Sequence, residues 1–210
     1  MPRLREVPKA EAPPAINEMY ERLFDGRDPV AEPGTATGTP GHWWTVFALV
    51  PDIFEHATSG FNLFNSTDRA LEPRYRELGL TRAGFARGSQ FVFSQHCKAS
   101  RAVGISEEQV AAIPSWATSD LFDDKDRAIL AYTDEVIVQD GRVQDGTFEV
   151  LHKHFSDEAI LELTYAIATY GLHATACRAL RLEYDDVPER IAEIPMPGEG
   201  DRDIMSDISR

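Results

Sequence analysis

Cysteine is scarce in this chain: Cys97 and Cys177 are its only two among 210 residues, far apart and in neither Cys-x-x-Cys nor zinc-ligand spacing. That excludes a disulfide framework and a dithiol redox motif, and leaves two reduced, partly buried thiols. Basic charge is also short. Lys and Arg total 21 against 35 acidic residues, a net charge of -14, with no basic cluster. Nucleic acid and anionic membrane surfaces are therefore not expected as partners, and an anionic small-molecule substrate needs a local cation in its pocket. No apolar run approaches the roughly 18 residues of a membrane span. The opening Met-Pro-Arg-Leu-Arg-Glu has charge but no apolar h-region behind it, so a cytoplasmic location is expected. Strand signals are nearly missing, with no Asn-Gly hairpin and little period-2 alternation. Glycine-rich phosphate loops are missing too, since Gly84 and Gly88 fall inside a helical region. His152 and His154 stand two apart and so face away from each other on a helix. No metal site and no cofactor are expected.

What is present is helical spacing. Hydrophobic residues make up 42% of the chain, enough to bury a core. After a Pro-rich arm over residues 1–14, Ile16, Met19, Tyr20 and Leu23 recur at i, i+3, i+4, i+7, and Gly26 suits the end of that helix. Residues 26–41 read as a long Gly/Pro/Thr loop. His42, Trp43 and Trp44 open an apolar run, and Asp52 is a candidate cap for a helix from Ile53 to about residue 65. Further helices are expected over about 72–87, 89–103, a short piece after the Ser106–Gln109 capping box, 123–138, 144–154 and 156–182, with a loop at 114–122. Residues 195–210 read as a flexible tail. The expected fold class is all-α.

The segment 76–108, RELGLTRAGFARGSQFVFSQHCKASRAVGISEE, carries the most specific pattern. It resembles the core motif of the carboxymuconolactone decarboxylase/AhpD-like family. Arg76-Glu77-Leu78 stands at the opening, Arg82 at the internal arginine, Ser89 and Val92 where peroxidase-type members place two cysteines, His96 at the motif histidine and Gly104-Ile105-Ser106 at the closing turn. The run 161–170, followed by Arg178-Ala179-Leu180, is similar to the family's C-terminal helix. The resemblance covers most of 45–182. It implies an AhpD-like helical bundle over 43–194, preceded by an arm, helix and loop over 1–42, and a homo-oligomer, a trimer or hexamer. Thiol peroxidase chemistry needs an attacking and a resolving thiol. Ser89 and Val92 supply neither, and Cys97 points about 100° away from His96 around the helix. The resemblance therefore leans to the decarboxylase branch.

From the residues themselves, Ser89, Val92, Phe93 and His96 share one helix face, and Glu77 can approach it if the preceding helix folds back after Gly88. A carboxylate beside an imidazole fixes its tautomer and makes an acid/base pair. Equally, His96 can be a satisfied core histidine and Glu77 can pair with Arg74 or Arg82. Arg82 reads either as the holder of a substrate carboxylate or as an ion-pair partner. Trp43 and Trp44 wall a ligand pocket or fill core. Tyr170 and His173, at i, i+3 among small residues, read as core or subunit contact. The expected function is a cofactor-independent decarboxylase of a small cyclic or unsaturated carboxylic acid, with His96 and Glu77 as the acid/base pair. Ser89 is the expected hydrogen-bond donor, with Arg82, Trp43, Trp44 and Phe93 around the substrate. The alternatives are a hydrolase or isomerase on an aromatic-pathway intermediate using the same pair, and a non-catalytic binding or assembly protein.

Overall fold

The computed structural model describes residues 1–34 and 41–182; the tail expected at 195–210 and most of the second half of the 26–41 loop lie outside the described residues. Among the described residues the regular structure is helical, without a strand. The helices are α1 (Pro14–Phe24), α2 (His42–Phe47), α3 (Pro51–Asn65), α4 (Pro73–Ala86), α5 (Gln90–Ala102), α6 (Glu107–Ala112), α7 (Asp124–Val138), α8 (Asp145–His152) and α9 (Asp157–Leu180).

Local chemistry sets most of the starts. Ser106 and Gln109 form the reciprocal capping box of α6. Asp123 accepts from the Asp126 amide at 2.8 Å and Ser156 from the Ala159 amide at 3.3 Å, opening α7 and α9. Two expectations are corrected. α3 begins at Pro51 rather than under an Asp52 cap, because a first-turn proline has no amide to satisfy and its φ is already helical. The expected loop at 114–122 is partly a 3₁₀ segment, Ile113–Thr118. The Pro-rich arm carries one 3₁₀ turn, at Lys9–Glu11.

α4 is the central element and lies against α5, α7 and α9. Its sequence explains this position. Leu78, Leu80 and Ala83 are buried on different sides, so the helix has no free face to give to solvent. Gly84 lets α5 come close: a Cβ there would stand 2.7 Å from the Phe93 amide nitrogen and 2.9 Å from its Cα. The left-handed turn at Gly88 (φ 64°) then reverses the chain into α5. Thr81 Oγ1 and Ser100 Oγ, both buried, are hydrogen-bonded across this pair at 2.8 Å.

The two larger apolar clusters share α9. The larger joins α4, α5, α7 and α9 through Leu78, Phe93, Ile129, Leu130, Leu163 and Ile167. The second gathers the N-terminal arm, α1, α2 and α3 around Trp43, with Tyr20, Phe24, Phe54 and Cys177. The arm is bound by backbone as well: the Val7 amide donates to the Thr45 carbonyl at 2.9 Å and the Arg3 amide to the Leu180 carbonyl at 2.9 Å.

Candidate active site

The close approach of α4 and α5 places Glu77 against His96. The two are buried, and His96 Nδ1 lies 2.7 Å from Glu77 Oε2. The other carboxylate oxygen, Oε1, accepts from Arg76 Nε at 3.0 Å. Arg76 is itself tethered, donating through Nη1 to the Phe64 carbonyl at the end of α3. Burial pushes the Glu77 carboxyl up, but the His96 and Arg76 charges and hydrogen bonds outweigh it and leave it below the usual carboxylate range. An ionised Glu77 can only accept, so Nδ1 carries a hydrogen and Nε2 is the nitrogen left to take up or give a proton. Nε2 has no hydrogen-bond partner among the described residues. The pair is thus an oriented imidazole with one nitrogen left for a reacting proton.

α9 completes the surroundings. The Tyr170 ring stands edge-on to His96, centroids 4.3 Å apart, and Tyr170 neighbours His173 at 5.7 Å. Burial and the Glu77 charge raise the Tyr170 hydroxyl, so it stays protonated. His173 sits among Trp43, Phe47, Phe61 and Tyr170, with centroids between 5.4 and 6.3 Å, and its buried Nδ1 has no hydrogen-bond partner among the described residues. Burial, reinforced by repulsion from His96 and His56, lowers its pKa to about 4, so it is neutral at physiological pH.

The other residues singled out from the sequence are placed as follows. Ser89 is fully buried as the N-cap of α5, its Oγ accepting from the Val92 amide at 3.4 Å, which gives its oxygen a helix-capping role. Phe93 is buried in the larger cluster, edge-on to Phe85 at 5.6 Å. Arg82 points to the opposite side of α4. It grips Asp134 with Nε at 2.6 Å and Nη2 at 3.0 Å, and its Nη1 donates to the Ile113 and Pro114 carbonyls. The ion-pair alternative is the one seen, and Arg82 is not beside His96. Arg74 is likewise engaged, with Asp126 at 2.7 Å, which leaves Glu77 to its neighbour and the histidine. Trp43 is buried and stacked on Phe47 at 4.1 Å; Trp44 is half-buried, edge-on to Phe54. Trp43 reaches the site region only through His173 and Phe61. Sequence reasoning missed Arg76 and read Tyr170 and His173 as packing. The signal for those two was their i, i+3 spacing. Arg76 gave none, since adjacent helix residues ordinarily point apart. Among the described residues no group of three or more metal-ligating side chains occurs, and no helix is long and apolar enough to cross a membrane.

Comparison with known proteins agrees with this geometry at the level of family and fold. Residues 51–135, which contain Glu77 and His96, match the model of the carboxymuconolactone decarboxylase family. The uncharacterized protein YnjA of Escherichia coli (strain K12) is 26% identical over 141 residues, covering 65% of this chain and 73% of its own length. A protein of unknown function from Agrobacterium tumefaciens, whose description names AhpD, is 28% identical with a TM-score of 0.62, over 67% of this chain and 96% of that one. An uncharacterized peroxidase-related protein with an AhpD core from Ralstonia eutropha JMP134 shares the fold at a TM-score of 0.73 and 19% identity, over 88% of this chain and 93% of that one. The chain thus carries a carboxymuconolactone decarboxylase family match over residues 51–135, on an AhpD-like helical fold and without a Cys-x-x-Cys pair.

Proposed function

We propose that the protein is a cofactor-independent acid/base lyase, a decarboxylase of a small cyclic or unsaturated carboxylic acid. The observation that carries this reading is the buried 2.7 Å contact between His96 Nδ1 and Glu77 Oε2, with Nε2 left over. In the proposed step the C–CO₂ bond breaks and its electron pair moves into a conjugated carbonyl. Protonated Nε2 of His96 then delivers a proton to the resulting enolate, and His96 ends neutral. Glu77 stabilises the charged imidazolium beforehand and holds its orientation; Arg76 keeps Glu77 ionised and in place. A positioned acid of this kind contributes about 10²–10⁴-fold. The test is CO₂ release across a panel of cyclic and unsaturated carboxylic acids. His96→Ala should abolish turnover with the helical circular dichroism unchanged, and Glu77→Gln should reduce it by about 10²-fold or more. An unchanged rate in His96→Ala removes the histidine from the mechanism. Turnover without CO₂ points to the hydrolase or isomerase alternative on the same pair.

A second reading, assembly, is favoured by the outer face of α9. Leu161, Tyr165 and Leu172 are 70%, 54% and 64% exposed, an apolar stripe at helical spacing that a lone subunit leaves in water. Beside Leu172 lies an open groove against α7, lined by Val136, Ala168 and Ala176. The occupant proposed for it is a second copy of the chain, in a trimer or hexamer. Light scattering at micromolar concentration checks this, and a monomeric mass rejects it.

A further inference from the structure

The negative charge of the chain means that an anion needs a cation of its own, and Arg82 does not supply one. Two other guanidiniums do. A cavity of about 280 Å³ opens between the end of α3, the start of α4 and the first turns of α9. Its walls are apolar (Leu63, Phe64, Leu71, Leu161 and Tyr165), and Arg69, Arg76 and Glu162 provide its charged groups.

Neither guanidinium is saturated. The Arg69 side chain makes no hydrogen bond among the described residues, and its Nε is buried. Its one ion pair is loose: Nη1 lies 3.6 Å from Glu162 Oε1, beyond hydrogen-bond reach. Glu162 is occupied elsewhere, its Oε2 accepting from the Leu71 amide at 2.9 Å. Arg76 spends Nε on Glu77 and Nη1 on the Phe64 carbonyl, and its Nη2 has no partner among the described residues. Guanidinium donors left unmade in a half-dry place cost free energy that a ligand can recover. The lining charges sum to one positive, two arginines against Glu162. A guanidinium fork matches a carboxylate, and the apolar walls match a ring or a branched hydrocarbon rather than a bare inorganic ion.

We propose that this cavity binds a small carboxylate with an apolar body, the carboxylate held by Arg69 and Arg76. Bound there, the carboxylate shares Arg76 with Glu77, so occupancy is felt at the Glu77–His96 pair one residue away. Phe64 also links the two regions, since its ring lies 5.9 Å from that of Tyr170. The inference concerns binding and does not require the lyase reading.

The test uses the full chain and two probes of one shape, benzoate and its neutral counterpart benzamide, titrated by calorimetry and by methyl NMR. Benzoate should bind at least about tenfold more tightly than benzamide. Its binding should shift the methyls of Leu63, Leu71 and Leu161. Arg69→Gln should weaken benzoate by about tenfold or more and leave benzamide within about twofold. Equal affinity of the two probes, unchanged benzoate binding in Arg69→Gln, or shifts confined to other methyls overturns the proposal. The wild-type comparison and the NMR map decide the matter even if Arg69→Gln does not fold. His96→Ala should still bind benzoate at least about tenfold more tightly than benzamide, so loss of turnover and loss of this site are separately visible.

Discussion

Replacing His173 with Phe tests the electrostatics of the site without touching the acid/base pair. The imidazole is buried among four aromatic rings, and its Nδ1 has no hydrogen-bond partner among the described residues. Its pKa falls from the ordinary 6.5 to about 4, through burial first and then the neighbouring His96 and His56. The unfolded chain therefore takes up this proton more readily than the folded one, and stability must decline as pH drops from about 6.5 towards about 4, levelling off below. With those two values the loss is about 2 kcal/mol between pH 7.5 and pH 5, and about 3 kcal/mol once both states are protonated. Phe fits an aromatic surrounding and has neither a titrating group nor an orphaned nitrogen. Its stability at pH 7.5 should equal or exceed the parent's, since an unpaired buried polar atom costs about 1–3 kcal/mol. The assay is urea unfolding of both proteins at the two pH values. The parent should lose about 2 kcal/mol more than His173→Phe on acidification. Equal losses would refute the reasoning, because His173 would then titrate alike in both states.

Gly84→Ala should destabilise the fold by about 1–3 kcal/mol, since the new Cβ meets α5 backbone at 2.7 Å and backbone cannot step aside as a side-chain tip can. Urea unfolding measures it, and a neutral result means that α4 and α5 pack less closely than described. Cys97 and Cys177 are fully buried, so a thiol reagent such as Ellman's should react with neither in the native protein and with both in denaturant. Rapid native labelling would contradict that burial.

The reach of sequence reasoning here follows the range of the forces involved. Caps and periodicity act within one turn, so Ser106, Asp123 and Ser156 announced their helices, and the opening of α3 was misplaced by two residues only because Pro51 can itself begin a helix. Glu77 and His96 were both legible as candidates, but their contact was one of several open pairings. Arg74 and Arg82 competed for the same carboxylate on paper. Packing against α7 gave them Asp126 and Asp134 instead. Long flexible side chains choose partners over several ångströms, and that choice depends on which helices meet.

The sequence by itself determined the helical class, most helix boundaries, the lack of a dithiol and the candidacy of His96 and Glu77, because each depends on residue identity or on neighbours within a turn or two. The tertiary structure decided that Arg82 is spent on Asp134, that Tyr170 stands beside His96 with His173 next to it, and that Arg69 and Arg76 keep donors at a cavity that are unmade among the described residues. Those outcomes rest on contacts between distant segments, fixed by the crossing of α4 with α5 and α9 and by the close approach that Gly84 allows.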